Sequence, residues 1–320
     1  MNRRQTIPAE LRYTFQNFDR DFPTDDACLE SIKEQRFPQG ISECRKCLKS
    51  RKHYRVHGRT AYACETCGNH IYPLAGTIFE KSSTQLRIWF HAMYLMGSTR
   101  CGISAKQIQR ETGVTYKTAW RMFHQIRKLM HEEIQLGGEG GPGVEMDEMY
   151  HGGRRKNDSG RLLKGDLRKK TMVTGIVERK GRIVARVSQE LTMLATSTLA
   201  QEYVLPKTTI FTDEGPSYNA LPKLANSGYQ HRRINHSQKI YVAGDVHTNT
   251  IEGFWSLVKR GIGGVYHSVS AKYLQSYLDE YSFRYNRRDR GNLIFPALLQ
   301  RVGETVSHKR VSEVSGSPTL

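Results

Sequence analysis

The segment VHTNTIEGFWSLVKR, residues 246–260, has the apolar spacing of an amphipathic helix that begins near Thr248. Within it, Glu252 and Lys259 lie two turns apart and share one face, and Asn249 lies near that face. The side chains predicted to pack on the opposite face are Ile251, Phe254 and Val258. The segment therefore predicts a helix that is fixed to a core on one side and offers an amide, a carboxylate and an ammonium group on the other.

Two further carboxylates belong to predicted strands far from this helix. Asp147 lies in VEMDEMY, and Asp213 ends TTIFTD, an apolar strand that is stopped by EGPSY. An aspartate at a strand end is poorly placed for packing but well placed to hold a cation at a sheet edge. Together with Glu252, these side chains can bind two hard divalent ions, Mg²⁺ or Mn²⁺, through oxygen.

Such a site is typical of phosphodiester chemistry. One ion activates the attacking oxygen and the other stabilises the leaving oxygen of an in-line displacement, while Lys259 can position a phosphate as a point charge. Spacing alone leaves other acids as competitors for these roles. They are Glu145, which shares the side of Asp147 on its strand, and Glu148, Glu214 and Asp245.

Four of the six cysteines form two pairs, Cys44-Arg-Lys-Cys47 and Cys64-Glu-Thr-Cys67. Each pair can form a knuckle that offers two sulfurs to one tetrahedral Zn²⁺, and the sixteen residues between the pairs can form a hairpin. This region has few large apolar residues, so we expect its folding to depend on the metal. Cys28 and Cys101 are most simply buried thiols.

A pair of helices follows the cysteine region. Ser104 can cap the first helix and Thr115 the second, and a glycine between them marks a turn. The length and turn are those of a helix-turn-helix, whose second helix would present Lys117 and Arg121 to phosphates and base edges. An ordinary helical hairpin with a solvated basic face is the alternative.

The charge balance indicates a polyanionic partner. There are 49 Lys and Arg residues against 31 Asp and Glu, a net charge of +18. No run approaches the roughly 20 apolar residues of a membrane span, and the first residues lack the apolar core of a signal peptide. We therefore expect a cytoplasmic protein that binds nucleic acid and no membrane. A basic loop after Asp147 offers Arg154, Arg155 and Lys156 to a DNA backbone. The alternative is that this loop is only solvated.

The glycine-rich stretch LGGEGGPG at 136–143 is the predicted domain boundary. The chain is expected to be of the α/β class (α+β mixed). The predicted segments are an arm with a short helix over 1–40, a zinc ribbon over 41–80, a helical DNA-binding region over 84–135, a catalytic domain over 143–300 and a flexible tail over 301–320.

Four segments resemble bacterial insertion-sequence transposases of the acidic-triad (DDE) class, in particular the ISXO2-like group of the IS1595 family. They are VEMDEMYHGG, TDEGPSY, HTNTIEGFWSLVKRGIGGVYHSVS and YLDEYSFRYNRR. The resemblance implies an RNase H-like catalytic domain with Asp147, Asp213 and Glu252 as its triad and Lys259 as the basic residue after the third acid. Family members emphasise either an Asn or a carboxylate in the third motif. This chain has both, and we expect Asn249 to act by hydrogen bonding.

The resemblance further implies that the protein cuts DNA at the terminal inverted repeats of a mobile element and joins the freed 3′ ends to target DNA. Water attacks first and a DNA 3′-hydroxyl second. We expect a homo-oligomer on DNA and no small-molecule substrate, and we add Arg260 to the expected DNA contacts. Two other functions stay open: a zinc-ribbon DNA-binding regulator with a degenerate catalytic domain, and a structure-selective nuclease.

Overall fold

The computed structural model describes residue 8 and residues 12–99, 101–152, 170–188, 192–233, 248–290 and 293–303 of the chain. The chain divides into two compact units. The ribbon unit is Tyr13–Tyr94 with Phe295–Leu320, and the sheet unit is Met1–Arg12 with Leu95–Ile294. Among the helices described, none combines the length and the apolar character needed to cross a membrane.

The described part of the ribbon unit contains a small antiparallel sheet of four strands in sequential order. Helices α1 (Phe15–Asp21) and α2 (Asp25–Arg36) precede the strands β1 (Ile41–Cys44), β2 (Lys49–Arg55), β3 (Tyr62–Cys64) and β4 (His70–Ile71), and helix α3 (Leu86–Ser98) begins after them. Tyr62 ties the sheet to α2, because its hydroxyl donates to Glu30 Oε2 over 2.7 Å.

The sheet unit contains the predicted helical pair, α4 (Ala105–Thr112) and α5 (Tyr116–Lys128). The side chains of Ser104 and Thr115 accept from backbone N–H groups of the first turns, as predicted. Gly113, between the helices, has a positive φ of 72°, which favours glycine. The expected apolar face of α5 is buried: Ala119, Met122, Phe123 and Ile126.

A five-stranded mixed sheet forms the centre of this unit within the described residues. Its strands are β5 (Val144–His151), β6 (Thr171–Glu178), β7 (Ile183–Ser188), β8 (Thr209–Thr212) and β9 (Gln230–Arg233). The spatial order is β7-β6-β5-β8-β9, with β6 antiparallel to both β5 and β7, β8 parallel to β5, and β9 parallel to β8. The predicted mixed α/β class is confirmed, with the central position held by the strand that carries Asp147.

Helices cover both faces of the sheet. Helix α6 (Met193–Tyr203) packs on one face, and α7 (Asn249–Gly261) and α8 (Ala271–Tyr285) pack on the other. The last described helix, α9 (Ile294–Val302), belongs to the ribbon unit from Phe295 onward. Successive residues of β5 alternate between these faces. Val144 and Met146 enter the core beneath α6, whereas Met149 enters the core beneath α7. Asp147 therefore lies on the α7 face, as does Glu145.

A buried charge network joins α5 to α8. Glu280 is fully buried and accepts from Arg127 Nε over 2.7 Å and from Arg284 Nη2 over 2.8 Å. The hydroxyl of Tyr266, in the π-helical turn Ile262–Tyr266 after α7, also donates to it. Burial alone would raise the pKa of Glu280, but the two guanidinium groups outweigh it and lower the pKa.

We expect Glu280→Gln to destabilise the protein by about 3–5 kcal/mol, because it leaves two buried guanidinium groups without their counter-charge. Urea unfolding followed by far-ultraviolet circular dichroism measures the change. Glu139→Gln is the control, since its ion pair with Lys207 is exposed and should contribute less than about 1 kcal/mol. An equal change in the free energy of unfolding for the two substitutions would contradict a stabilising role of the buried network.

Candidate active site and zinc centre

Asp147 and Asp213 are neighbours because their strands run in parallel. Glu145 of β5 pairs with Phe211 of β8, so two residues later Asp147 and Asp213 stand side by side. Asp213 is the first residue after β8, as predicted, and its Oδ1 accepts from the backbone N–H of Gly215 over 2.9 Å. This bond fixes the turn at which the chain leaves the sheet.

Helix α7 brings the third acid to this region. The helix begins after Thr248, and the residues predicted to pack are buried: Ile251, Phe254 and Val258. Glu252, Lys259 and Arg260 are exposed, and so is Asn249, the first residue of the helix. The predicted amphipathic helix is confirmed. Glu252 Oε1 accepts from the hydroxyl of Thr248 over 3.3 Å.

Trp255 docks α7 on the sheet beside Asp147. Its indole Nε1 donates to Asp147 Oδ2 over 3.0 Å, and its ring lies over Gly175, which pairs with Asp147 across β5 and β6. A Cβ atom at Gly175 would lie 2.6 Å from Trp255 Cζ2 and 2.8 Å from Ile251 Cδ1. Only glycine leaves room for this contact, which holds the turn that carries Glu252 next to the central strand.

Neither Trp255 nor Gly175 was singled out in the sequence. A glycine inside the strand pattern TMVTGIVE was a usable signal, because such a glycine often marks the close approach of another group. The sequence gives no indication of which group approaches.

The surroundings of Asp147 disfavour its negative charge. Burial raises the pKa of Asp147 to about 6, and the carboxylates of Glu148 and Asp213 add to the rise, partly opposed by hydrogen bonds. A cation beside Asp147 would remove this penalty. The donor set of Asp147, Asp213 and Glu252 consists of oxygens only, which suits a hard ion such as Mg²⁺ or Mn²⁺.

The three acids are not drawn together to chelating distance. Within the part of the chain that the structure describes, only the four paired cysteines form a group of at least three ligand residues whose donor atoms all lie within 4.8 Å of one another. Asp147 and Asp213 are strand neighbours, and Glu252 lies one helical turn before the tryptophan that contacts Asp147. The exposed side chain of Glu252 can change rotamer at little cost.

The competing acids have different surroundings. Glu145 is fully buried and accepts from backbone N–H groups of α7. Glu148 faces away from α7 and accepts from the hydroxyl of Tyr218 over 2.5 Å, and burial raises its pKa. Glu214 is exposed, while Asp245 lies outside the described residues.

The residues predicted to contact DNA are found in several places. Lys117 and Arg121 are exposed on α5, beside a stretch of that helix that packs on α8 through Trp120 and Tyr273, whose ring centroids lie 5.2 Å apart. Lys259 and Arg260 are exposed in the last turn of α7. The basic loop residues Arg154, Arg155 and Lys156 lie outside the described ranges.

The paired cysteines form a compact group of four sulfurs. The Sγ atoms of Cys44 and Cys67 lie 3.5 Å apart, and the backbone N–H of Cys47 donates to Cys44 Sγ over 3.5 Å. That N–H bond is the main cause that lowers the pKa of Cys44 to about 6, which favours the thiolate that a zinc ion requires. The donor set of four cysteines fits one structural Zn²⁺, as predicted.

The prediction for the two remaining cysteines is half right. Cys28 is buried in α2, and burial raises the pKa of its thiol to about 12. Cys101 is exposed, so the prediction that it is buried is wrong. It lies in the irregular segment between α3 and α4, where no helical periodicity turns its side chain toward a core.

Gly175→Ala is expected to push Trp255 off the sheet and to lower the free energy of unfolding by about 1–3 kcal/mol, because the added methyl overlaps the indole. Gly253→Ala is the matched control: it also lies next to the site, but a Cβ there meets no atom within 4 Å. Its expected effect is a stabilisation of up to about 1 kcal/mol through helix propensity. Urea unfolding separates the two, and destabilisation of both would contradict the packing argument.

The zinc centre predicts one zinc ion for each chain, measured by elemental analysis of the purified protein. Cys64→Ser should lose the ion and the ordered ribbon, because serine does not replace a thiolate ligand. Cys101→Ser should retain both, since that thiol is no part of the group. Retention of a full zinc ion by Cys64→Ser would contradict the assignment.

Two segments of the chain match known domain families. Residues 135–286 match the ISXO2-like transposase domain, and residues 23–70 match the transposase zinc-ribbon domain. The chain is also similar to a protein of Halobacterium salinarum named "Uncharacterized protein in transposable element ISH50", with 29% identity over 252 residues, which are 72% of this chain and 79% of that protein. The chain thus carries a segment similar to the zinc ribbon of transposases, followed by a segment similar to the ISXO2-like transposase domain.

Proposed function

We propose that the protein cuts DNA at the terminal inverted repeats of its insertion sequence and joins the freed 3′ ends to target DNA. The observation that carries the proposal is the placement of Asp147, within β5, next to Asp213, at the end of the neighbouring strand β8, with α7 docked beside Asp147 and Glu252 on the exposed side of α7. The net charge of +18 supports DNA as the substrate.

Asp147, Asp213 and Glu252 are the residues that would hold two Mg²⁺ or Mn²⁺ ions through their carboxylate oxygens. When bound, the ions supply positive charge to the attacking and leaving oxygens of the phosphodiester. The buried position of Asp147 beside Glu148 and Asp213 supports this assignment, because a cluster of carboxylates is stabilised by a cation.

The protein's own side chains orient the reaction. Trp255 holds one oxygen of Asp147 and so limits the directions in which this carboxylate can turn. Lys259 lies two turns beyond Glu252 on the exposed side of α7, where its ammonium group can hold a DNA phosphate. Asn249, at the start of the same exposed side, would donate or accept a hydrogen bond near the scissile phosphate, and Arg260 would add a contact to the backbone.

The remaining DNA contacts would come from the zinc ribbon, from Lys117 and Arg121 on α5, and from the basic loop with Arg154, Arg155 and Lys156. Such contacts bind the backbone and keep the element's end in register with the acids. We expect the protein to work in the cytoplasm as a homo-oligomer on DNA, and to use neither a membrane nor a small-molecule substrate.

Incubation with a labelled DNA fragment that carries the element's ends tests the proposal. With Mg²⁺ or Mn²⁺, the wild type should nick at the end and join it to target DNA. Asp147→Asn, Asp213→Asn and Glu252→Gln should each lose at least about 100-fold in cutting rate, more than is typical for a residue that only supports a ligand. All three should keep their affinity for the fragment in a gel shift.

Glu202→Gln is the control, because Glu202 is an exposed acid on α6, and it should cut like the wild type. Full biological activity of Asp147→Asn would instead indicate a DNA-binding regulator. Cutting of branched DNA without dependence on the end sequence, and without joining, would indicate a structure-selective nuclease. Either result would overturn the proposed function.

A further inference from the structure

A second layer of side chains lies beneath the three proposed acids. On the strands, Glu145 and Phe211 stand two residues before Asp147 and Asp213, and Thr250 lies in the first turn of α7, the helix that carries Glu252. Two residues along a strand restore the same side of the sheet at a separation of roughly 7 Å. Contacts within this lower layer therefore fix the positions of β5, β8 and α7, which carry the acids, relative to one another.

Glu145 caps the N-terminus of α7 from the central strand. Its Oε2 accepts from the backbone N–H groups of Thr250 over 2.9 Å and Ile251 over 3.1 Å, and its Oε1 accepts from the Thr250 hydroxyl over 2.9 Å. These N–H groups belong to the first turn, which has no intrahelical acceptors for them. A buried carboxylate at the positive end of a helix makes strong, directional bonds.

The residue that would ordinarily cap this helix does not do so. The side chain of Thr248, the residue before α7, makes no capping bond, and its hydroxyl donates to Glu252 instead. The start of α7 is therefore held by a residue more than one hundred positions earlier in the chain, rather than by its own neighbour.

Arg179 connects the same carboxylate to β8. Its Nε donates to Glu145 Oε1 over 3.1 Å, and its guanidinium carbon lies 3.6 Å from the ring centroid of Phe211. The strand register already places Phe211 next to Glu145. Arg179 thus balances the buried charge of Glu145 and packs on the strand that ends at Asp213.

We propose that Glu145 is a positioning residue, which sets the separation of Asp147, Asp213 and Glu252 by docking α7 and β8 on β5. It acts through these elements and touches neither the DNA nor the ions. The inference rests on the proposed function. Displacements of about 1 Å are enough to lower the reaction rate of a site of this kind by roughly 100-fold. A change at Glu145 should therefore alter the binding of the ions by the acids.

The test is Glu145→Gln in the full-length, zinc-loaded protein. The amide keeps the size of the side chain, but it presents an NH₂ group to the N–H donors of α7 and removes the negative charge that faces Arg179. Two quantities are measured: the Kd for Mn²⁺ without DNA, from the electron paramagnetic resonance signal of free Mn²⁺, and the end-cutting rate at saturating DNA. We expect the Kd to rise about 10-fold or more and the cutting rate to fall about 10- to 100-fold, with DNA affinity unchanged.

Asp279→Asn is the matched control. Asp279 is a buried carboxylate of the same unit, which pairs with Arg186 over 3.2 Å and accepts from Gln275 over 2.8 Å. This substitution also removes one buried negative charge without a change in size, but at a carboxylate of α8 that bonds to Arg186 of β7 instead of to the N–H groups of α7. It should lower the thermal midpoint while the Mn²⁺ affinity and the cutting rate stay at the wild-type level.

A folded Glu145→Gln protein that binds Mn²⁺ and cuts like the wild type would overturn the inference, as would an equal loss of both in Asp279→Asn. If Glu145→Gln does not fold, Thr250→Val is tested instead. This substitution removes one hydroxyl bond to Glu145 at constant size and should raise the Kd for Mn²⁺ several-fold. An unchanged Kd would overturn the inference. A wild type that neither binds Mn²⁺ nor cuts would overturn the proposed function itself, a result distinct from these.

Discussion

The docking of α7 on the central strands is the contact on which the geometry of the candidate site depends. The helix is held at its first turn by the carboxylate of Glu145 and at its second by Trp255, whose ring lies over Gly175. Both anchors reach the same strand, β5, and they stand on either side of Glu252 along the helix. The exposed face of α7 then has only one orientation relative to Asp147, and the apolar face is buried as a consequence.

The same helix is linked to the helical pair of α4 and α5 through buried charges. Glu280 accepts from Arg127 of α5, from Arg284 one turn along α8, and from Tyr266 just after α7. A fully buried carboxylate with two guanidinium partners tolerates little displacement, because any partner left unpaired carries a large desolvation cost. Within this unit, α5 with its exposed Lys117 is thus fixed relative to the strand that carries Asp147. A rigid connection of this kind would keep bound DNA in register with the acids.

Local rules of the sequence predicted most of the elements. The alternation in VEMDEMY placed Glu145 and Asp147 on one side of a strand, and the spacing of Ile251, Phe254 and Val258 gave the buried face of α7; both are confirmed. The cysteine spacing identified a group of four sulfurs. Where no periodicity was present, as around Cys101, the prediction of burial was wrong. A repeat of two or 3.6 residues assigns side chains to one face of a strand or helix, and it does so whatever element packs on that face.

The sequence by itself determined which residue types the chain offers and on which face of each element they lie. It could not decide between Glu145 and Asp147, because both stand on the same side of the same strand, two residues apart. The tertiary structure separates them: Glu145 accepts from the amides at the start of α7, and Asp147 accepts from the indole of Trp255 beside Asp213. The deciding contacts join residues more than one hundred positions apart, and the energy of burying a charge depends on such partners rather than on the neighbouring residues in the chain.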